Sequence, residues 1–484
     1  MTNGIANSAN IFRSAPKPPA QSAGRIPVLS SNSAFNVGFG LTVAWVFIEF
    51  SRFFDFVASG YKIPGIIYFS MIGFILLSGA IPLALSNRMT QIIVVFTIWV
   101  GVTLPFSMWR SNSLDSGREA FQCLMTFVAV SGLAISGRQC IRVIQTLGLA
   151  SLVGAALSFR YGSMETGRLE LFQGSFKDPN EYAMTLLIGL PLLALMARSD
   201  SLFLRIAGGG GTLITFYVFL RTGSRGGMIA LLAMGLVLFW GVSLSRKVVV
   251  LVAAGAALSI GLAVMPNYIQ ARYVTFFSAD ESGPMTDEER ALLRGSDVAS
   301  TEGRWSLIFD GLRLTAEHPL FGVGPGNFPV TRWNEAADQG RRVGWNVTHN
   351  TYLQLSSETG IMGALLFIAF LYRAFQATRR VVKNGAANGY PELARAAYHL
   401  WLSLVALCVS AFFLSLGYFP AFYVLGAIAL SLERAISQPK VSSPLPQVAI
   451  PSPPIGASVA FASPAPPTKK VLSGKEVRAL LRKV

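Results

Sequence analysis

Apolar runs of about 20 residues, each long enough to cross the ~30 Å hydrocarbon layer of a bilayer, follow one another along most of this chain. They lie near 35–57, 63–85, 91–109, 120–136, 140–159, 182–197, 202–220, 228–244, 248–266, 350–373, 396–416 and 419–433. A segment of this kind has no water to satisfy its backbone polar groups, so it must close its hydrogen bonds within a helix. The chain therefore reads as all-α, a polytopic integral membrane protein with about 12 transmembrane helices. Composition agrees, since 52% of the residues are hydrophobic and only 13% charged, about half the charge of a soluble domain.

Charge sets the direction in which the helices run. With the N-terminus in the cytoplasm, segments on that side hold roughly 23 of the 40 lysines and arginines and about 4 of the 24 acidic residues, as the positive-inside rule requires. The net charge of +16 then divides into about +19 inside and about −3 outside, with both termini cytoplasmic. A basic chain can also bind nucleic acid, but loops that orient a membrane protein account for this charge, and no nucleic-acid partner is expected. Cys123, Cys140 and Cys408 lie in or beside apolar runs without paired spacing and read as packing residues. Residues 1–33 are polar with no continuous apolar core, so no signal peptide is predicted and the first helix is expected to target the chain. That segment and 435–484, which is Pro-rich and closes on a basic stretch from Lys469 to Lys483, are expected to be disordered cytoplasmic tails. The basic end could meet anionic lipid, although a solubilising tail explains it as well. Helices one to nine fall in 34–266, the large outer loop in 267–349 and helices ten to twelve in 350–434.

Three polar segments share the outer side: Arg160 to Glu181, Arg221 to Gly227 and the loop of about 80 residues before Asn350. Within the loop, Ala279 to Ser300 is acidic and reads as solvated, whereas Trp305, Ile308, Phe309, Leu312 and Ala316 recur at helical spacing. An amphipathic helix there could lie on the membrane surface. Arg221 and Arg225 flank glycines that allow a ligand close to the backbone, and an arginine fork suits phosphate oxygens. Arginines snorkelling to lipid headgroups are the plainer account of the same turn. Gly322 to Asn327 resembles a nucleotide loop only superficially, since no strand precedes it and Pro325 interrupts it; a tight turn explains its glycines. His349, beside Asn350 at a helix start, is placed to accept a proton near neutral pH or simply to flank a cap. His318, before Pro319, reads as part of a turn, and His399 falls on the cytoplasmic side without a role. No carboxylate pair or clustered ligands suggest glycoside hydrolysis or a metal, and no cofactor is expected.

The runs Gly303-Arg304-Trp305, His318 to Phe328, His349-Asn350-Thr351-Tyr352-Leu353 and Glu358 to Gly363, together with Arg221 to Gly227 and Leu171 to Glu181, resemble the O-antigen ligase and O-antigen polymerase family. The resemblance implies a glycosyltransferase of the bacterial inner membrane with its site in a large periplasmic loop containing amphipathic helices. Its donor would be a glycan on undecaprenyl diphosphate and its acceptor either lipid A-core or a second lipid-linked glycan, with membrane lipid and polysaccharide-assembly proteins as possible company. By the same resemblance His349 corresponds to the general base, Arg225 and Arg304 to the arginines that hold the diphosphate, with Arg221 assisting. Asn180, His318, Asn350 and Glu358 are candidates for shaping the site. The segment around Pro284 to Ser300 is longer than the clearest ligases suggest.

A flippase or exporter of the same lipid-linked glycan is the rival from another class. It should carry ionisable residues near the membrane midplane and helices interrupted there. Glu49 and Glu358 are the few acidic candidates, while the arginines gather at the outer surface, which favours the enzyme. The orientation has a direct test: cysteines introduced after Ser282 and at the C-terminus should be labelled by an impermeant reagent from opposite faces of the membrane.

Overall fold

The computed structural model describes residues 33–438, apart from 165–166, 173, 242, 264–268, 271–272 and 274–302. The tails predicted to be disordered, but for Ser33 and 435–438, and the acidic stretch Ala279 to Ser300 lie outside the described residues. Twelve long helices occupy the expected runs: Ser33–Ser51, Ile63–Ser78, Arg88–Thr103, Arg110–Leu133, Gly137–Tyr161, Pro179–Met196, Leu202–Arg221, Arg225–Gly241, Leu244–Ala263, Thr351–Asn384, Pro391–Ser410 and Pro420–Ser437. Among the described residues, 8 helices are long and apolar enough to cross a membrane by length and composition, and Ile63–Ser78 and Arg225–Gly241 are apolar but shorter.

Several boundaries differ from the apolar runs. The run 63–85 is divided at Gly79, whose φ of 70° ends one helix and starts the short helix Ala80–Leu85. Helix Arg110–Leu133 begins well before its apolar part and carries Asp115, Arg118 and Glu119 on exposed positions of its first turns. Those charges face outward and do not oppose helix formation, so hydropathy marks the membrane layer and not the helix end. The polar segment after Tyr161 holds a departure from all-α structure, a two-stranded antiparallel ribbon pairing Gly162–Ser163 with Glu170–Leu171. Inside the large loop before Thr351, helices run over 303–317 and Phe328–Asp338.

The connecting segments sort to two ends of the bundle. At one end Leu169 N donates to the Arg221 carbonyl, Met108 N to the Val323 carbonyl and Thr351 N to the Ala411 carbonyl, joining five connecting segments in two sets. At the other, Arg434 reaches the carbonyls of Ser131 and Leu83 at 2.6 and 3.3 Å, and the Gln438 amide donates to the Ile135 carbonyl. An arginine on exposed last-turn carbonyls satisfies groups that the helices themselves leave open. Helix Pro420–Ser437 runs through the middle with most of its residues buried, and Phe370 stacks on its Tyr423 at 5.7 Å.

Lipid is as apolar as a leucine side chain, so helices in a bilayer associate through close packing and not through hydrophobic exclusion. The glycine run from Gly208 to Gly211 shows this at one contact. A Cβ on Gly208 would stand 2.3 Å from the Ala197 amide nitrogen, whereas one on Gly209 or Gly210 would meet nothing within 4 Å. Gly208→Ala is therefore expected to lower the melting temperature of the detergent-solubilised protein, by an overpacking penalty of about 1–3 kcal/mol. Gly209→Ala should leave it unchanged or raise it, because alanine is the better helix former by about 1 kcal/mol. Equal melting temperatures for the two variants would refute this contact.

Candidate functional site

The 34-residue helix Thr351–Asn384 is not continuous, because Gly360 adopts φ 72° and ψ 177° within it. A regular helix would donate Ile361, Met362 and Gly363 N–H to the carbonyls of Ser357, Glu358 and Thr359. Here those carbonyls accept instead from Val323 N at 2.9 Å, Gly324 N at 3.0 Å and the Trp99 indole at 2.8 Å, while Ile361 N turns to Pro319 O at 2.9 Å. The segment from Pro319 to Asn327 is thus a plug seated in the helix break. Gly322, Gly324 and Gly326 all have positive φ, and a Cβ on Gly360 would fall 2.0 Å from the Leu320 carbonyl oxygen. The expected tight turn is present, and its glycines also serve this close approach. Glu358 is 3% exposed, and one of its oxygens accepts from Gly326 N at 2.9 Å and from the Tyr418 hydroxyl at 3.2 Å.

Around this plug the loop helices are fixed by a small core of Leu307, Leu314, Val323 and Phe328. Arg332 pairs with Asp310 at 2.7 Å, and Arg313 binds both Glu317 and Glu335. Trp305, Phe309 and Leu312 remain exposed on the opposite side of helix 303–317, the apolar face that the helical spacing predicted. Arg304, at the start of that helix, is half-buried.

The turn after Arg221 is woven into the ribbon segment. Arg168 donates to the Thr222 carbonyl at 3.0 Å and to the Asn180 side-chain oxygen at 2.8 Å, and the same oxygen accepts from the Ser224 hydroxyl at 2.8 Å. The Asn180 amide donates in turn to Asp178 at 3.0 Å, and Asp178 caps helix Pro179–Met196 by accepting from Asn180 N at 2.7 Å. Arg225 opens the next helix directly behind Ser224.

His349 is one of two non-glycine residues with positive φ among those described, at 48°. The bend sets it off the axis of the following helix, whose first free N–H groups, on Tyr352 and Leu353, are capped by Asn350. Thr348 anchors the approach through hydrogen bonding with the Ser415 hydroxyl at 2.8 Å. Burial pushes the His349 imidazole below the usual histidine range, the Arg304 charge pushes it the same way, and Asp178 opposes both. Arg304 is itself held below its usual value by burial and by the charge of Arg225, again opposed by Asp178. Three segments far apart in sequence therefore bring Arg304 into the fields of Arg225 and Asp178, and His349 into those of Arg304 and Asp178. Burial and the Arg304 charge thus both favour the neutral imidazole, the form able to accept a proton.

The other candidates fall differently. Asn180 is in the network that carries Ser224 and Arg225. Arg221 lies at the last turn of its helix with its guanidinium 5.9 Å from the Tyr217 ring, and its buried Nε has no hydrogen-bond partner among the described residues. Asn350 is a helix cap, and Glu358 is sealed into the plug. His318 is exposed and ends helix 303–317, its carbonyl accepting from Gly322 N, so it takes no part in the cluster. Arg168, Asp178 and Ser224 were not singled out for roles; Asp178-Pro179 is a legible helix start, but nothing local reveals what lies across from it. Among the described residues no group of three or more His, Cys, Asp or Glu could hold a metal ion.

A family model described as O-antigen ligase matches residues 210–368, the stretch that contains Arg221, Arg225, Arg304, His349 and the plug but not Arg168 or Asp178. No curated protein matches the chain. The electrostatics of His349 can be checked with ring-labelled histidine and NMR, in which it should titrate below an ordinary histidine. Asp178→Asn keeps a capping side chain and removes the one charge that favours the imidazolium, so it should move the His349 titration further down. An upward shift would contradict the arrangement.

Proposed function

We propose that the chain, which matches the O-antigen ligase model over residues 210–368, acts as its resemblance to that family implies, as an inverting, metal-independent glycosyltransferase. It moves a glycan from undecaprenyl diphosphate to a hydroxyl of an acceptor glycan, either lipid A-core or a second lipid-linked glycan, on the periplasmic face of the bacterial inner membrane. The observation that carries this reading is the meeting of Arg225 and Arg304 with a half-buried imidazole at His349 whose neutral form is favoured. Two arginines that disfavour each other at rest are relieved when a diphosphate lies between them, and its charge grows as the glycosyl bond breaks.

In this scheme the acceptor oxygen forms a bond to the anomeric carbon while the bond from that carbon to the phosphate oxygen breaks. His349 takes the hydroxyl proton, and the electron pair leaves with undecaprenyl diphosphate, held by Arg225 and Arg304. Asp178 steadies the imidazolium formed in that step. Asn180, through Ser224 and Arg168, holds the turn that carries Arg225, and Arg221 supports it from the preceding helix. Attack opposite the leaving group inverts the anomeric configuration. The outer placement rests on the charge asymmetry of the loops and on the clustering of all four groups at one end of the bundle.

The flippase reading draws support from one feature, the break at Gly360 beside buried Glu358, since interrupted helices and buried carboxylates are what transport sites use. The carbonyls of Ser357, Glu358 and Thr359 and the Ile361 N–H all find protein partners across that break, however, which suits a fixed seam more than a moving gate. Purified protein supplied with a polyprenyl-diphosphate glycan and either acceptor separates the two. Arg225→Lys and Arg304→Lys should each reduce transfer at least about tenfold, because an ammonium lacks the bidentate fork. His349→Ala should reduce it about 10²- to 10⁴-fold with donor binding retained. Wild-type rates in these variants, or a product that keeps the donor configuration, would overturn the scheme.

A further inference from the structure

Three tryptophans from separate segments gather on the exposed surface of the large loop. Trp109, Trp333 and Trp345 are 48%, 45% and 55% exposed. The Trp345 ring lies 6.4 Å from Trp109 at 84° and 6.4 Å from Trp333 at 55°. Half-exposed indoles held against one another present apolar, electron-rich faces to whatever occupies the space above them.

The triad is held from beneath. The Asn327 amide donates to the Trp109 carbonyl at 3.3 Å, and Arg332, next to Trp333, bridges Asp310 at 2.7 Å and the Gly344 carbonyl at 3.3 Å, one residue before Trp345. These ties also set its place relative to the transfer centre. Trp345 precedes His349 by four residues, so their backbones are at most about 14 Å apart. Asp310, which holds Arg332, lies six residues along the helix from Arg304, a rise of about 9 Å.

We propose that Trp109, Trp333 and Trp345 form a stacking platform for the sugar rings of the acceptor glycan, beside the transfer centre. A pyranose presents a face of C–H bonds with partial positive charge, which suits the negative face of an indole, and its hydroxyls need polar groups at the edge. Asn334, Asn346 and the Arg332–Asp310 pair supply such an edge. An interfacial belt against lipid is the competing use of exposed tryptophan. The chain already offers a surface of that composition on helix 303–317, where Trp305 and Phe309 stand with Leu312, whereas Arg110, Arg332, Asn334 and Asn346 neighbour the triad in sequence, alongside the exposed Met108 and Val347. The acceptor is favoured over the donor because the platform adjoins His349, the group that receives the acceptor proton.

This inference rests on the transferase reading, and its test keeps the two apart. With core lipid or a second lipid-linked repeat as acceptor, Trp333→Ala and Trp345→Ala should each raise the acceptor KM about tenfold. The donor KM and the rate at saturating acceptor should stay unchanged, and Trp345→Phe should recover most of the loss. Unchanged acceptor KM in both alanine variants, in protein of wild-type melting temperature, would overturn the platform and leave the transferase standing. If the wild-type protein transfers nothing, saturation-transfer NMR with delipidated core oligosaccharide and delipidated repeat decides: binding lost in Trp345→Ala upholds the platform, and no binding to wild type overturns it. Quenching of the triad emission by lipids brominated in their acyl chains, absent in the Trp109→Phe/Trp333→Phe/Trp345→Phe variant, would assign the surface to the bilayer and also overturn it.

Discussion

The helix break at Gly360 is the constraint on which the end of the bundle that carries the large loop depends. Inside a membrane protein a backbone carbonyl that leaves its helix must find another donor, because lipid supplies none. Those of Ser357, Glu358 and Thr359 find theirs in Val323, Gly324 and Trp99. One local departure from helix geometry therefore ties the loop, the C-terminal end of helix Arg88–Thr103 and the half-helix that begins at Thr351 into a single unit. The buried carboxyl group of Glu358 accepts a further bond from Gly326 N, and losing it would leave groups unpaired where water does not reach.

That unit explains how charges from distant parts of the chain share one place. His349 sits directly before the half-helix, and Arg304 begins a helix packed on the plug through Leu307 and Leu314. Arg225 arrives from the other side, held by the bonds that Asn180 makes with Ser224 and Arg168. Like charges brought together under partial burial disfavour each other, and the single opposing carboxylate, Asp178, acts on both Arg304 and His349. The arrangement is electrostatically suited to an anion and to a proton acceptor in the same space.

The same loop meets its surroundings in two ways. Helix 303–317 leaves Trp305, Phe309 and Leu312 outward and seals its other edge, as a helix lying on an apolar surface would. Arg332, Asp310, Arg313 and Glu335 form a charged brace between this helix and Phe328–Asp338. A brace of that kind contributes little as separate exposed pairs but fixes the relative placement of the two helices.

The sequence by itself determined the membrane class and the positions of the twelve long helices, and it supplied an expectation for their orientation from the distribution of basic residues. Those properties are local, since apolar length and loop charge are read without knowing what any helix touches. Tertiary structure alone decided that His318 faces solvent while His349 turns inward, that Glu358 is sealed into a seam, and that Asp178, Arg168 and Ser224 support the cluster. It also decided that three tryptophans spread over more than two hundred residues share one surface. The reason is physical: in lipid the outside of a helix is as apolar as its packed side, so hydrophobic pattern does not tell a helix which neighbour to choose. That choice rests on small-residue contacts such as Gly208 against Ala197 and on backbone bonds across the Gly360 break, and both exist only once the chain has folded.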